Sequence, residues 1–270
     1  MLGKLIKHEW METYKMGCLM LGAMAVITFL GWLSFQAPVW KSISGTGGSV
    51  SWLDIFSIFT VLIYAMLLAC VIFGIRIYLC VRFYRTMYTN QGYLTHTLPV
   101  TKNQILGSKL LVSGLWMLII QLAIYFSLFM LVSSLIWMVA PDRYLPTDLF
   151  AAAWEILSEM ESLFGFRAAH FVGMWLATSL IGSFTSIMIL FGSLSLGQLM
   201  PRGRLFLGIL FYILIVVGEE LLVSLFRSFS GSFGAYLNRN MDIRFIVDLL
   251  TAAILYAATH FIISRKLNLA

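Results

Sequence analysis

The sequence predicts an all-α integral membrane protein. It should have six transmembrane helices, an interfacial helix ahead of the first, a short cytoplasmic element between the second and third, and both termini in the cytoplasm. Three observations predict this. First, 60% of the 270 residues are hydrophobic and the mean hydropathy is +0.92. Second, only 11% are charged, against about 25% in soluble domains, so a soluble fold would lack the polar side chains to cover its surface. Third, the apolar residues form continuous runs of roughly 20 or more, the length a helix needs to cross a bilayer, rather than the short alternating segments of a membrane barrel.

The elements follow in order. In residues 2–15, Leu2, Leu5, Ile6, Trp10 and Tyr14 share one helical face, while Lys4, Lys7, Glu12 and Lys15 lie elsewhere. That pattern suits an amphipathic helix in the membrane interface, with Trp10 and Tyr14 at headgroup depth. A signal peptide cut near Ala23-Met24-Ala25 is the competing reading, but the polar prefix is long and the tripeptide falls in mid-span. The first span covers about residues 16–36, since no charge occurs between Lys15 and Lys41. Ser44-Gly45-Thr46-Gly47-Gly48-Ser49 then reads as a flexible turn, lacking the Lys-Ser/Thr of a phosphate loop.

The second span, about 55–76, runs on into Tyr78, Arg82, Phe83, Tyr84, Arg85 and Tyr88, the aromatic and basic mixture of a helix leaving the interface. Gly92 is its stop signal. Pro99 opposes a helix through residue 98, and Thr101 with Gln104 forms a capping box for the next helix. That helix carries the third span, about 110–138. Phe150, Trp154, Leu157, Met160 and Phe164 then recur at helical spacing among five acids, as in an external amphipathic helix. The fourth span is about 168–199, and its small residues Ala169, Gly173, Ala177, Gly182 and Ser186 suit close helix packing in lipid. Met200-Pro201-Arg202-Gly203-Arg204 is a basic turn. The fifth span is about 205–226, residues 227–244 read as an external loop, and the sixth span is about 245–263.

With six spans both termini share a side, and that side carries 12 of the 18 Lys and Arg residues but only 2 of the 12 acids. By the positive-inside rule it is cytoplasmic. The net charge of +6 thus reports topology rather than a nucleic-acid surface. The segment 76–109, with Arg76, Arg82, Arg85, Lys102 and Lys109 and no acid, becomes the dominant cytoplasmic feature.

Little points to catalysis. His8, His96, His170 and His260 are dispersed, Cys18, Cys70 and Cys80 follow no metal or disulfide spacing, and no phosphate loop or nucleophile motif occurs. Glu219, Glu220 and Asp248 fall within or at the ends of spans. Such acids often mark an ion or cargo path, yet these sit near the outer end, where pairing with Arg227 or Arg244 would make them an external polar cluster.

The layout and one fairly specific string carry a resemblance, although the spans themselves are only generically hydrophobic. The interfacial helix, the six spans and the loop from Arg82 to Leu111, with Gly92-Tyr93-Leu94, Thr97-Leu98-Pro99-Val100 and then Lys109, resemble bacterial ABC-transporter permeases of the type-2 exporter class. The resemblance implies that Gln91, Gly92, Tyr93, Leu94, Thr95, His96, Thr97 and Leu98 form a coupling helix docked in a cytoplasmic ATPase. Tyr93, Leu94 and Leu98 would be its apolar anchors and Arg85 and Lys102 its rim. Leu5, Ile6, Trp10 and Tyr14 would belong to the connecting helix. It further implies a multi-pass protein of the bacterial cytoplasmic membrane, not catalytic by itself and binding no cofactor. Two separate ATPase subunits would carry the ATP and Mg, and a second permease chain, identical or related, would complete the complex. The cargo implied is hydrophobic or amphipathic, first an antimicrobial-type peptide, with drugs or lipids as alternatives. A non-transporting membrane sensor or scaffold with a partner-binding basic loop is the reading from another class.

Overall fold

A computed structural model of the chain describes residues 2–35, 52–89, 91–92, 100–139, 149–199, 203–227 and 233–265. Seven α-helices follow one another among these residues: α1 (Leu2–Phe35), α2 (Trp52–Tyr88), α3 (Lys102–Val139), α4 (Leu149–Phe164), α5 (Ala168–Gly197), α6 (Arg204–Arg227) and α7 (Phe233–Arg265). Six of them, all except α4, are long and apolar enough to cross a membrane. The chain therefore has the character of a multi-pass membrane protein.

Two boundaries differ from the sequence expectation. α1 is unbroken over 34 residues, whereas the charge pattern divides it near residue 15 into a surface helix and a span. Nothing at Lys15-Met16-Gly17 can interrupt it, because one interior glycine costs only about 1 kcal/mol. α7 is already helical at Phe233, so most of the expected 227–244 loop is helix. Its polar side chains are used there: His170 pairs with Asp242 at 3.5 Å and Arg244 with Glu220 at 2.9 Å. The Gly/Ser stretch at 44–49, residues 200–202 of the Pro201 turn and residues 93–99 lie outside the described residues.

The chain forms two compact units. One comprises Met1–Thr13, Arg76–Leu118 and Ser158–Ala270; the other Tyr14–Ile75 and Ile119–Leu157. In the first, α5 is the central element: 61% of its span is buried, against 11% for α6. Met188 and Ile189 of α5 meet Leu255 of α7 in a core flanked by Tyr212, Ile215 and Val216 of α6. The close approaches fall towards the C-terminal end of α5. A Cβ on Gly192 would come within 3.0 Å of Leu255, and one on Gly197 within 2.7 Å of the Gly208 nitrogen on α6. Those two glycines let α5 touch its neighbours. Gly173, in the expected small-residue ladder, faces open space instead. Gly165, at φ 68°, ends α4 in the left-handed conformation that favours glycine. The Glu161 carboxylate just before it accepts the Ala168 N–H at 3.2 Å, capping the start of α5.

In the second unit the buried Tyr64 hydroxyl and Ser127 hydrogen-bond to each other, and Thr28 donates to Ser127 at 2.7 Å. Gly31 leaves room for the Tyr64 ring, 3.0 Å from where a Cβ would sit. Beside this triad, Leu21, Met24, Phe29, Trp32, Phe126 and Met130 border an open apolar groove of about 450 Å³, with Phe29 and Phe126 more than half exposed.

Candidate functional site

The segment singled out by sequence, 76–109, starts within the last turns of α2, and both flanks of its 89–101 connection are tightly built. Phe83 stacks on Phe191 of α5 with ring centroids 3.8 Å apart, and Tyr88 donates its hydroxyl to Ser195 at 2.6 Å. Met87 is fully buried. Past the last turn, Thr89 donates to the Arg85 carbonyl at 2.6 Å, and the Gly92 N–H returns to the Thr89 carbonyl at 2.7 Å. A Cβ on Gly92 would sit 2.6 Å from the Met87 carbonyl oxygen, so this turn requires glycine. Of the proposed docking residues, Gln91 is exposed and Gly92 buried, while Tyr93, Leu94, Thr95, His96, Thr97 and Leu98 lie outside the described residues.

On the far flank, the Thr101 N–H reaches Gln104 Oε1 at 3.4 Å, one of the two bonds of the capping box. Lys102 does more than stand at a rim. Its ammonium donates to the Ile263 and Ser264 carbonyls at 3.1 and 3.2 Å, satisfying the orphan acceptors at the C-terminal end of α7. Ile105, Leu106 and Ser108 are buried one turn further on.

Behind both flanks lies a cluster that sequence reading did not find. Lys109, only 4% exposed, donates to Glu9 Oε1 at 2.5 Å and to the Thr86 hydroxyl at 2.9 Å. Arg82 bridges Glu9 at 2.8 Å and Glu12 at 2.5 Å. Two cations meet two carboxylates, and the charges balance. A buried charge unpaired in a low-dielectric interior costs several kcal/mol, so this balance is what lets Lys109 lie inside. The space among Glu9, Arg82, Lys109 and Phe191 is about 10 Å³, room for at most one water. The cluster is a joint, with no volume for a ligand. It fastens the first turns of α1 to α2 and α3, and Trp10 stacking on Trp116 at 4.9 Å extends it. Leu5 and Ile6 are half-buried, whereas Tyr14 is 53% exposed.

The acids of the expected outer cluster also come together. Glu220 takes Arg244 at an exposed position. Asp248 is 5% exposed on α7, with its carboxyl within hydrogen-bonding reach of Glu219 on α6. Thr185 of α5 donates to the Asp248 main-chain carbonyl at 3.1 Å. The Arg227 side chain lies outside the described residues. Among the described residues no group of His, Cys, Asp and Glu could hold a metal ion.

The chain matches no family model, no curated protein and no solved structure.

Proposed function

We propose that this chain is the membrane-spanning permease subunit of an ATP-driven exporter of the type-2 ABC class, in a bacterial cytoplasmic membrane. Residues 91–98 form the element that receives force from a separate ATPase. One observation carries this reading: both ends of the short 89–101 connection are fixed to the bundle. The α2 end is held by the Phe83–Phe191 stack and the Tyr88–Ser195 bond, the α3 end by the capped Thr101 turn and the Lys102 bonds to α7. A lever must be stiff where it joins its load. A loop that only met lipid headgroups would need no such anchoring. The Glu9–Arg82–Lys109 joint passes a displacement of the lever to α1 as well.

In this reading two such chains pair with two ATPases that carry the ATP and Mg, and their closure rocks the bundles. The cargo is hydrophobic or amphipathic, first a peptide. The open apolar groove of about 450 Å³ in the second unit, lined by aromatic and methionine side chains, is compatible with that class.

The test is purification of the full chain with a co-expressed ABC ATPase from the same genome. Wild type is expected to co-purify and to change ATP turnover, and Leu94→Asp with Leu98→Asp to lose both while retaining normal membrane insertion. If the double variant still binds the ATPase and alters its turnover, the docking assignment is wrong. If instead the basic segment captures a signalling protein and no ATPase, the sensor or scaffold reading takes its place.

A further inference from the structure

We infer that Glu219 and Asp248 form a proton-binding site, holding one shared proton at the contact of α6 with α7. Geometry and the local supply of donors carry the argument. Asp248 is only 5% exposed and lies in the middle third of the α7 span that runs from Leu237 to Ser264, deeper than its expected place at the outer end. Its carboxyl meets that of Glu219 within hydrogen-bonding reach. Glu219 Oε1 is itself fully buried, and among the described residues no donor reaches it. Two carboxylates facing each other are acceptors only, and neither can satisfy the other. One added proton turns the contact into an O–H···O bond.

Among the described side chains no neighbouring cation offers another solution. The charged groups described around the pair are Glu220 on α6 and Arg244 on α7, and Arg244 is engaged with Glu220 at 2.9 Å. The third helix packed here, α5, presents uncharged groups: Thr185, whose hydroxyl goes to the Asp248 main chain, and Gly182, where a Cβ would lie 3.5 Å from Asp248 Oδ2. Thr251 gives one hydroxyl to the Glu219 carboxyl. Three carboxyls thus face one guanidinium, and the least costly correction is a proton, since like charges in contact in an apolar site do not both ionise. Ionisable groups kept inside spans despite their cost mark ion or proton sites by default. Deprotonation places two negative charges side by side and pushes α6 from α7, so proton binding and the packing of these helices are linked.

The test uses the purified full chain in lipid nanodiscs. Infrared spectra of wild type should contain a C=O stretch of a protonated carboxyl that Asp248→Asn and Glu219→Gln each remove. The wild-type Tm should fall as the pH is raised until that band disappears. Either amide supplies an N–H in place of the proton, so each variant should fold and show a Tm with that pH dependence lost. Should one variant fail to fold, the other carries the same reading. The inference is overturned if the wild-type band is absent at every pH at which the chain is folded. It is equally overturned if a folded variant retains both the band and the wild-type pH dependence.

Discussion

The two polar clusters of the first unit solve opposite problems. Around Lys109, two carboxylates meet two cations, and every charge has a partner of opposite sign at 2.5 or 2.8 Å. Around Asp248, two carboxyls meet each other while the nearby guanidinium is engaged by a third. A balanced cluster is complete in itself and serves as a permanent joint. An unbalanced one is complete only with something added, and its state depends on conditions outside the chain. The contrast separates scaffold from switch without reference to where either cluster lies in sequence.

The largest expected effect tests the balanced side. Glu9→Gln removes the carboxylate shared by Arg82 and Lys109, leaving Lys109 buried with only the Thr86 hydroxyl and a neutral amide. The expected loss is about 3–5 kcal/mol, the usual consequence of breaking one side of a buried ion pair. Denaturant unfolding in detergent would measure it. Glu9→Met combined with Lys109→Met is expected to recover most of that loss, because the penalty comes from the stranded charge rather than from any missing attraction. If the double variant is no more stable than Glu9→Gln, charge balance is not what holds the joint.

That joint also shows where sequence reading stops. The spans were legible because length and apolarity are local properties, and the six helices found sit where the runs were. The turn at Gly92 and the cap at Thr101 were legible for the same reason, each being fixed by residues three or four positions away. Glu9 and Lys109 are 100 positions apart, and their pairing exists only once three helices have packed. A signal was present nonetheless. Lys109 lies among Ile105, Leu106, Val112 and Ser113, all buried, and a charge on an otherwise apolar helical face needs a buried partner. The start of α7 was misjudged because Asn238, Arg239, Asn240 and Asp242 suggest a loop. The His170–Asp242 contact that uses one of them depends on tertiary structure.

A smaller effect tests the stiffness of the α2 flank of the proposed lever. Tyr88→Phe removes the hydroxyl that donates to the buried Ser195 and leaves both rings of the Phe83–Tyr88 contact in place. About 0.5–1.5 kcal/mol should be lost, the net worth of one ordinary hydrogen bond. If the connection receives force from an ATPase as proposed, ATP turnover of the reconstituted complex should become less tightly coupled to transport than this loss of stability alone would require. If coupling is unchanged while unfolding shifts as expected, the bond serves the fold only.

The smallest expected effect tests the unbalanced side. Arg244 and Glu220 are 43% and 55% exposed, so their pair is worth about 0.2–1 kcal/mol, as for other surface ion pairs. Arg244→Gln should therefore cost less than about 1 kcal/mol if a proton already neutralises the buried contact. If instead both Asp248 and Glu219 were ionised, Arg244 would be the one compensating cation among the described side chains for a buried double charge. Its removal would then cost several kcal/mol, comparable to Glu9→Gln. Thermal unfolding of Arg244→Gln beside Glu9→Gln, in the same lipid, distinguishes the two. A near-silent Arg244→Gln leaves the shared proton as the neutralising charge, whereas a severe one transfers that role to the guanidinium and makes both clusters joints of the same kind.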